Sequence, residues 1–308
     1  MRQAAPRAGV LRRERGGLLE PAELLGRGGE AQVFALRNDP HRAVKLYTGT
    51  DRRRTAKLRA MIRRPPSEPR DRQGRASLAW PEELVLDSQG EAAGFVMPRF
   101  DASRYRSIHQ LYNPASRRSN APGITWAHLV RVARNLCAAV AALHDAGYVI
   151  GDLNDSNILV SEASLVALVD LDSIQVITPT HVFPCNVGRA EYLPPELQDR
   201  QLRNVRRRPA GDRFALGVLV FLLLMEGNHP FSGRFTGDGE PPGLVANIRR
   251  RHSPYFGRSP LEPPLSAPPL EMLPAPVRTL LQRMLVGPAL MRPSARRLQE
   301  ALTELEQE

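Results

Sequence analysis

Asp152-Leu153-Asn154-Asp155-Ser156-Asn157 runs into the apolar stretch Ile158-Leu159-Val160. A second apolar stretch, Leu165 to Val169, then ends on Asp170-Leu171-Asp172. An Asp, an Asn five residues later and a second Asp thus sit on two neighbouring hairpin-like segments. These are the residue types needed to orient a hydroxyl nucleophile and to hold Mg²⁺ on a nucleotide, and they come in the required order. Solvated turn residues of a β-hairpin are the plainer reading of each taken alone, so the rest of the chain has to decide.

Upstream, Gly26-Arg27-Gly28-Gly29-Glu30-Ala31-Gln32-Val33 lies between two strand-like runs. Gly26, Gly28 and Gly29 let a backbone turn tightly over phosphates, with Ala31 at the third glycine position of the pattern and Val33 closing it. Any Gly-rich hairpin gives this signal. Lys45, in Ala43-Val44-Lys45, makes it specific. The chain has 43 Lys and Arg, but only Lys45 and Lys57 are lysines. A compact ammonium on a flexible stem reaches nucleotide phosphates where a planar guanidinium fits differently.

The 308 residues, 42% hydrophobic, suffice for a sizeable core. The net charge of +11 and pI near 10.6 rest almost wholly on Arg, and read as a solvated surface. Arg52-Arg53-Arg54 and Arg206-Arg207-Arg208 offer footholds for an anionic partner, but no aromatic residues interleave them, so a nucleic-acid site is not assigned. Cys137 and Cys185 give neither a disulfide framework nor zinc spacing, even with His181 nearby, and Cys137 reads as core. This composition suits a reducing cytoplasm. Residues 1–17 lack an apolar signal core and read as a flexible Arg-rich leader. The longest apolar run, Phe214 to Met225, is too short for a bilayer and reads as a buried helix.

Residues 18–98 alternate short strand-like runs with turns: Leu24-Leu25, Val33 to Leu36, Ala43 to Tyr47, and a hairpin from Leu84-Val85-Leu86 to Gly94-Phe95-Val96-Met97. Asp51 to Arg63 is predicted helical, with Leu58, Met61 and Ile62 on one face. Residues 99–308 are mainly helical. Thr125 caps a long helix ending at Gly147, a buried helix runs from about Asp212 to Glu226, and two helices close the chain near 276–286 and 294–305. Pro254 to Pro276 is a Pro-rich connector. The fold class is α+β, a small β-rich half followed by a larger helical one.

In this order the motifs resemble a divergent bacterial Ser/Thr protein kinase of the eukaryotic (Hanks) type. Gly-Asp-Leu-Asn-x-x-Asn, Asp-x-Asp-Ser and Pro-Pro-Glu-Leu-Gln are similar to the kinases of the tellurite-resistance-associated phosphorylation triad and related helix-hairpin-helix kinases. The resemblance implies a bilobal fold with an N-lobe over 18–98 and a C-lobe over 99–308. It implies ATP with Mg (or Mn), and transfer of the γ-phosphate to Ser or Thr of a partner protein or of the chain itself. Asp152 would orient the hydroxyl, Lys45 position phosphates, and Asn157 and Asp170 bind metal. Met97 would stand behind the adenine, with Pro98, Arg99 and Phe100 as the hinge. Tyr192-Leu193-Pro194-Pro195-Glu196 resembles the end of an activation segment. Arg292 would be the salt-bridge partner of Glu196, and Asp212 would bond the catalytic-loop backbone. Partners implied are a von Willebrand A domain protein and a metal-dependent phosphatase.

The sequence departs from the pattern in places. Ile150-Gly151 replaces the His-Arg before the catalytic Asp, so order imposed by a phosphate on the activation segment is in doubt. Asn154 stands where a Lys is usual. Arg189 stands where a Thr is usual, and can supply a cation to the γ-phosphate. Asp170-Leu171-Asp172 lacks the usual glycine. The 51–63 helix has no Glu for Lys45, which leaves Glu68, Glu82 or Glu83, or no partner. Two other readings follow: a nucleotide-binding pseudokinase scaffold without turnover, and a small-molecule kinase.

Overall fold

The computed structural model describes residues 10–70 and 74–307. The N-lobe is one antiparallel sheet built from β1 (Leu11–Arg13), β2 (Leu18–Leu19), β3 (Pro21–Arg27), β4 (Ala31–Leu36), β5 (Asp39–Tyr47), β6 (Glu83–Leu86) and β7 (Ala92–Pro98). Their order is β2-β1-β6-β7-β5-β4-β3. Alternation along the strands divides the apolar residues between two faces. Leu36, Val44, Val85 and Val96 pack on one, and Ala43, Leu84, Phe95 and Met97 on the other with Leu58. Gly94 lets β7 approach β5 closely: a Cβ there would lie 2.0 Å from the Lys45 carbonyl oxygen.

Residues 1–9 of the expected leader lie outside the described residues, as do 71–73. The rest of the leader reading is corrected: β1 pairs with β6, placing Leu11 in the N-lobe core. Helix α1 (Arg52–Arg63) packs against the sheet, and the Asp51 side chain caps it by accepting from the Arg53 amide.

The C-lobe begins with β8 (Tyr105–Ser107), α2 (His109–Tyr112), α3 (Pro114–Asn120) and α4 (Trp126–Asp145). Thr125 and His128 form a capping box at the start of α4. Strands β9 (Ile158–Ser161) and β10 (Val166–Leu168) form a small sheet with β8, and β11 (Val176–Ile177) and β12 (Val182–Phe183) form a hairpin. Helix α5 (Pro209–Leu224) starts three residues before the Asp212 read from sequence, because Pro209 occupies its first turn, where a missing N–H costs nothing. It is buried nearly all round. After it come β13 (Arg234–Phe235), α6 (Leu244–Arg250), β14 (Leu261–Glu262), α7 (Ala275–Leu285) and α8 (Ala295–Gln307), with α8 packed along α4. The core of this lobe centres on α4 and α5. The architecture is bilobal and α+β, as the resemblance implies, with the segment after β10 meeting β5. Among the described residues no helix is long and apolar enough to cross a membrane.

Candidate active site

Lys45 projects from β5 and meets the segment after β10. Its Nζ lies 2.5 Å from Asp170 Oδ1 and 2.6 Å from Asp172 Oδ1. The Tyr47 hydroxyl donates to the other Asp172 oxygen at 2.6 Å. The Arg54 guanidinium stacks over the Tyr47 ring, 4.1 Å from its centroid. Burial works against the Lys45 ammonium, but Asp172 and then Asp170 outweigh it and hold its pKa above the ordinary lysine value. Burial likewise works against the Asp172 carboxylate, which Lys45 and the Tyr47 hydroxyl nevertheless hold below its usual range.

This corrects the search for Lys45's acidic partner. Glu68 accepts from the Ser77 and Leu78 amides. Glu82 pairs with Arg42, and Glu83 with the Arg15 amide and Arg13. Its acidic partners are Asp170 and, two residues on, Asp172.

Helix α1 turns Lys57 toward this cluster instead of an acid, and Lys57 is buried. Burial depresses its pKa to about 8, with Asp172 opposing in part. An unfolded lysine keeps its ordinary value of 10.5. Between these values the unfolded chain holds a proton that the native chain lacks, so native stability rises with pH across that window. Lys57→Met is therefore expected to raise the melting temperature at pH 7, with the gain shrinking as pH rises through the window. A lower melting temperature at pH 7 would contradict this.

Asp170 sits in the left-handed region, at φ 60°. That conformation is unfavourable for a non-glycine residue, and is held here by the Ser173 hydroxyl donating to the Asp170 carbonyl at 2.8 Å. It aims the carboxylate at Lys45. Asp152 precedes a short turn in which Asn154 donates to its carboxylate at 2.8 Å. Burial raises the Asp152 pKa, partly offset by Asn154 and by the charge of Arg189. Asn157 donates its Nδ2 to the Asp152 carbonyl at 3.2 Å, leaving its amide oxygen facing away from that bond. Asp152, Asn157 and Asp170 line one small cleft. Arg189 bonds Asp155 at 3.3 Å.

Asp212 is buried and accepts from the Ile150 and Gly151 amides at 2.8 and 2.7 Å, with His144 Nε2 2.9 Å away. Arg292, fully buried in its side chain, makes a two-pronged pair with Glu196 at 2.5 and 2.9 Å and lies against the Phe214 ring.

Gly28 and Gly29 lie in the β3–β4 turn, Gly26 is on β3, and Ala31 and Val33 are on β4, where Val33 pairs with Lys45. A Cβ at Gly26 or Gly29 would meet no protein atom within 4 Å, so packing does not explain glycine there. Met97 pairs with Ala43 in the sheet. The Arg99 amide is committed to the His41 carbonyl, while Phe100 packs edge-on against Tyr105.

Residues 100–302 match the family model of the protein kinase domain. The chain belongs to that family. It is 32% identical over 301 residues to protein kinase YegI of Escherichia coli O157:H7, an alignment covering 95% of this chain and 46% of that one. It is 36% identical over 107 residues to serine/threonine-protein kinase PknL of Mycobacterium tuberculosis (strain H37Rv), covering 34% of this chain and 26% of that one. With PknB of Mycobacterium tuberculosis (strain H37Ra) it shares 28% identity over 233 residues, covering 70% and 33%. The chain spans about half the length of the YegI relatives it matches.

Proposed function

We propose that the chain is a Mg-ATP-dependent serine/threonine kinase that phosphorylates a partner protein, itself, or both. The observation that carries this is the convergence of Lys45, Asp170 and Asp172 next to Asp152, with Asp170 held in a left-handed conformation beside Lys45. The open space at Gly26 and Gly29 in this Gly-rich hairpin leaves room for phosphates.

In this reading Lys45 anchors the α- and β-phosphates, and Asp172 with Tyr47 fixes its reach. The donor set suits magnesium: the Asp170 carboxylate and the Asn157 amide oxygen are hard oxygen ligands that would hold it. When bound, the metal neutralises charge on the phosphate oxygens. Met97 borders the adenine. With Pro98 lacking an N–H and the Arg99 amide already bonded, Phe100 is left as the hinge donor. The substrate hydroxyl oxygen bonds to the γ-phosphorus as the bridging β,γ P–O bond breaks, its electron pair leaving with ADP. Asp152 takes the hydroxyl proton, and burial makes its carboxylate a better base.

Asp172→Ala is expected to lower turnover on the order of a hundredfold by freeing Lys45 from its fixed position. Unchanged turnover in a steady-state assay would remove Asp172 from the machinery.

The motif resemblance extends the proposal to a cytoplasmic setting, and to a von Willebrand A domain protein and a metal-dependent phosphatase as partners. The test is incubation with γ-labelled ATP and a Ser/Thr-rich protein, followed by acid hydrolysis. Label on phosphoserine or phosphothreonine that disappears with EDTA supports the reading. Label recovered only on a small molecule, or none at all, opposes it.

A further inference from the structure

Arg207 is one of three consecutive arginines, yet it alone of the three is buried. Among the described residues no carboxylate pairs with it, and its Nε meets no acceptor. Asp152 feels its charge from beyond ion-pair distance, and a buried cation held mainly by carbonyls is costly, so its placement needs a reason.

Its guanidinium donates to two carbonyls: Gly151 at 3.2 Å, beside Asp152, and Val187 at 2.9 Å, in the segment between Asp170 and Glu196. Its own backbone is fixed by the fully buried Gln175, which accepts from the Arg207 amide at 2.7 Å and donates to its carbonyl at 3.0 Å. Gly151 has a φ of 77°, and a Cβ there would lie 2.8 Å from Cβ and Sγ of Cys185 and 3.6 Å from Cγ of Arg207. Cys185 and Arg207 thus occupy the space that a side chain before Asp152 would need.

The segment has further ties of the same kind. Arg189 bonds Asp155, and the Gln198 amide donates to the Ala190 and Leu193 carbonyls at 2.8 Å each. From His181 to Glu191 it contains no Ser, Thr or Tyr at all. Kinase segments ordered by phosphorylation gain their order from a phosphate bonding to an arginine. Here the arginine is already bonded to backbone, and that stretch offers nothing to phosphorylate.

Building on the kinase reading, we infer that Arg207 is a positioning residue that holds the 185–189 segment onto the Asp152 loop without a phosphate, so that transfer needs no prior phosphorylation of the segment. Thr178 and Thr180, in the β11–β12 turn, are the nearest threonines before this stretch, and their hydrogen bonds go to His181, at its start.

The experiment uses the full chain. Wild type treated with a phosphatase, which is then removed, is compared with untreated wild type, with Thr178→Ala/Thr180→Ala, and with Arg207→Lys and Arg207→Met. Initial rates of transfer to a Ser/Thr-rich protein are read together with amide hydrogen exchange at residues 185–190. Phosphatase-treated protein and the double threonine variant are expected to match untreated wild type from the first turnover. Arg207→Met is expected to lose about a hundredfold in kcat with the KM for ATP unchanged, and exchange at 185–190 rises while α4 and α5 stay protected. Arg207→Lys reaches one carbonyl rather than two and falls between.

A large loss on phosphatase treatment, or on loss of the two threonines, overturns the inference, as does full activity in Arg207→Met. If Arg207→Met does not fold, Arg207→Lys and the phosphatase comparison decide. If wild type binds ATP and transfers nothing, the kinase reading itself fails. Arg207's hold on the segment is then judged by hydrogen exchange in Arg207→Lys, where unchanged protection at 185–190 counts against it.

Discussion

Asp152→Asn is expected to lower phosphotransfer roughly 10²–10⁴-fold, the range a positioned general base supplies, while ATP binding stays as in wild type. The carboxylate accepts a hydrogen bond from Asn154 and lies in the cleft lined by Asn157 and Asp170. An amide keeps that size and shape but cannot take the hydroxyl proton. Lys45, which would hold the phosphates, and Asp172, which fixes Lys45, are not bonded to Asp152, so affinity and chemistry should separate. Steady-state kinetics with parallel calorimetric titration of ATP checks this. Retention of more than a tenth of wild-type turnover would exclude Asp152 as the base.

The largest effect on stability is expected from Asp212→Ala. The Asp212 carboxylate, buried at the start of α5, receives the Ile150 and Gly151 amides and lies against His144 of α4. Truncation leaves two amides without their acceptor in a region closed to water. Each unsatisfied group costs about 1–3 kcal/mol, so the two amides together cost roughly 2–6 kcal/mol. For a chain of this size that lowers the melting temperature by about 10 °C. Thermal unfolding followed by circular dichroism reads it directly. A shift of only a degree or two would mean that water or a neighbouring group replaces the carboxylate.

Much of this geometry was legible because it is local. Asp152 and Asn157 lead into β9 and Asp170 follows β10, its paired neighbour, so their spacing nearly fixes their juxtaposition. Lys45 stood out because lysine is so scarce in this chain. Helix α1 followed from its periodicity and its Asp51 cap, but the inward turn of Lys57 did not, since a lone charged residue beside an apolar stripe reads as solvent-facing. Asp172 as a partner of Lys45 was missed for a clearer reason. Asp172 lies where the pattern usually carries glycine, so it read as a lost hinge rather than as an acid moved from the helix to the segment after β10.

Arg207 could not be picked from Arg206-Arg207-Arg208 by any local rule. Its burial arises from Gln175 and Gly151, which are 32 and 56 residues away. β1 escaped because three residues with two arginines carry little strand signal, and only pairing with β6 defines them. The Glu196–Arg292 pair spans 96 residues and was reached through resemblance, not through spacing.

The most direct test of the account is the intact mass of the protein, and of a Ser/Thr-rich protein beside it, after incubation with Mg-ATP. The same measurement is made on Asp170→Asn, which retains the side-chain shape but loses the carboxylate charge. The account predicts added phosphate on at least one of the two proteins with wild type, and none with the variant. Unchanged masses with wild type, while ATP still raises its melting temperature, would contradict turnover at this site and leave a nucleotide-binding scaffold in its place.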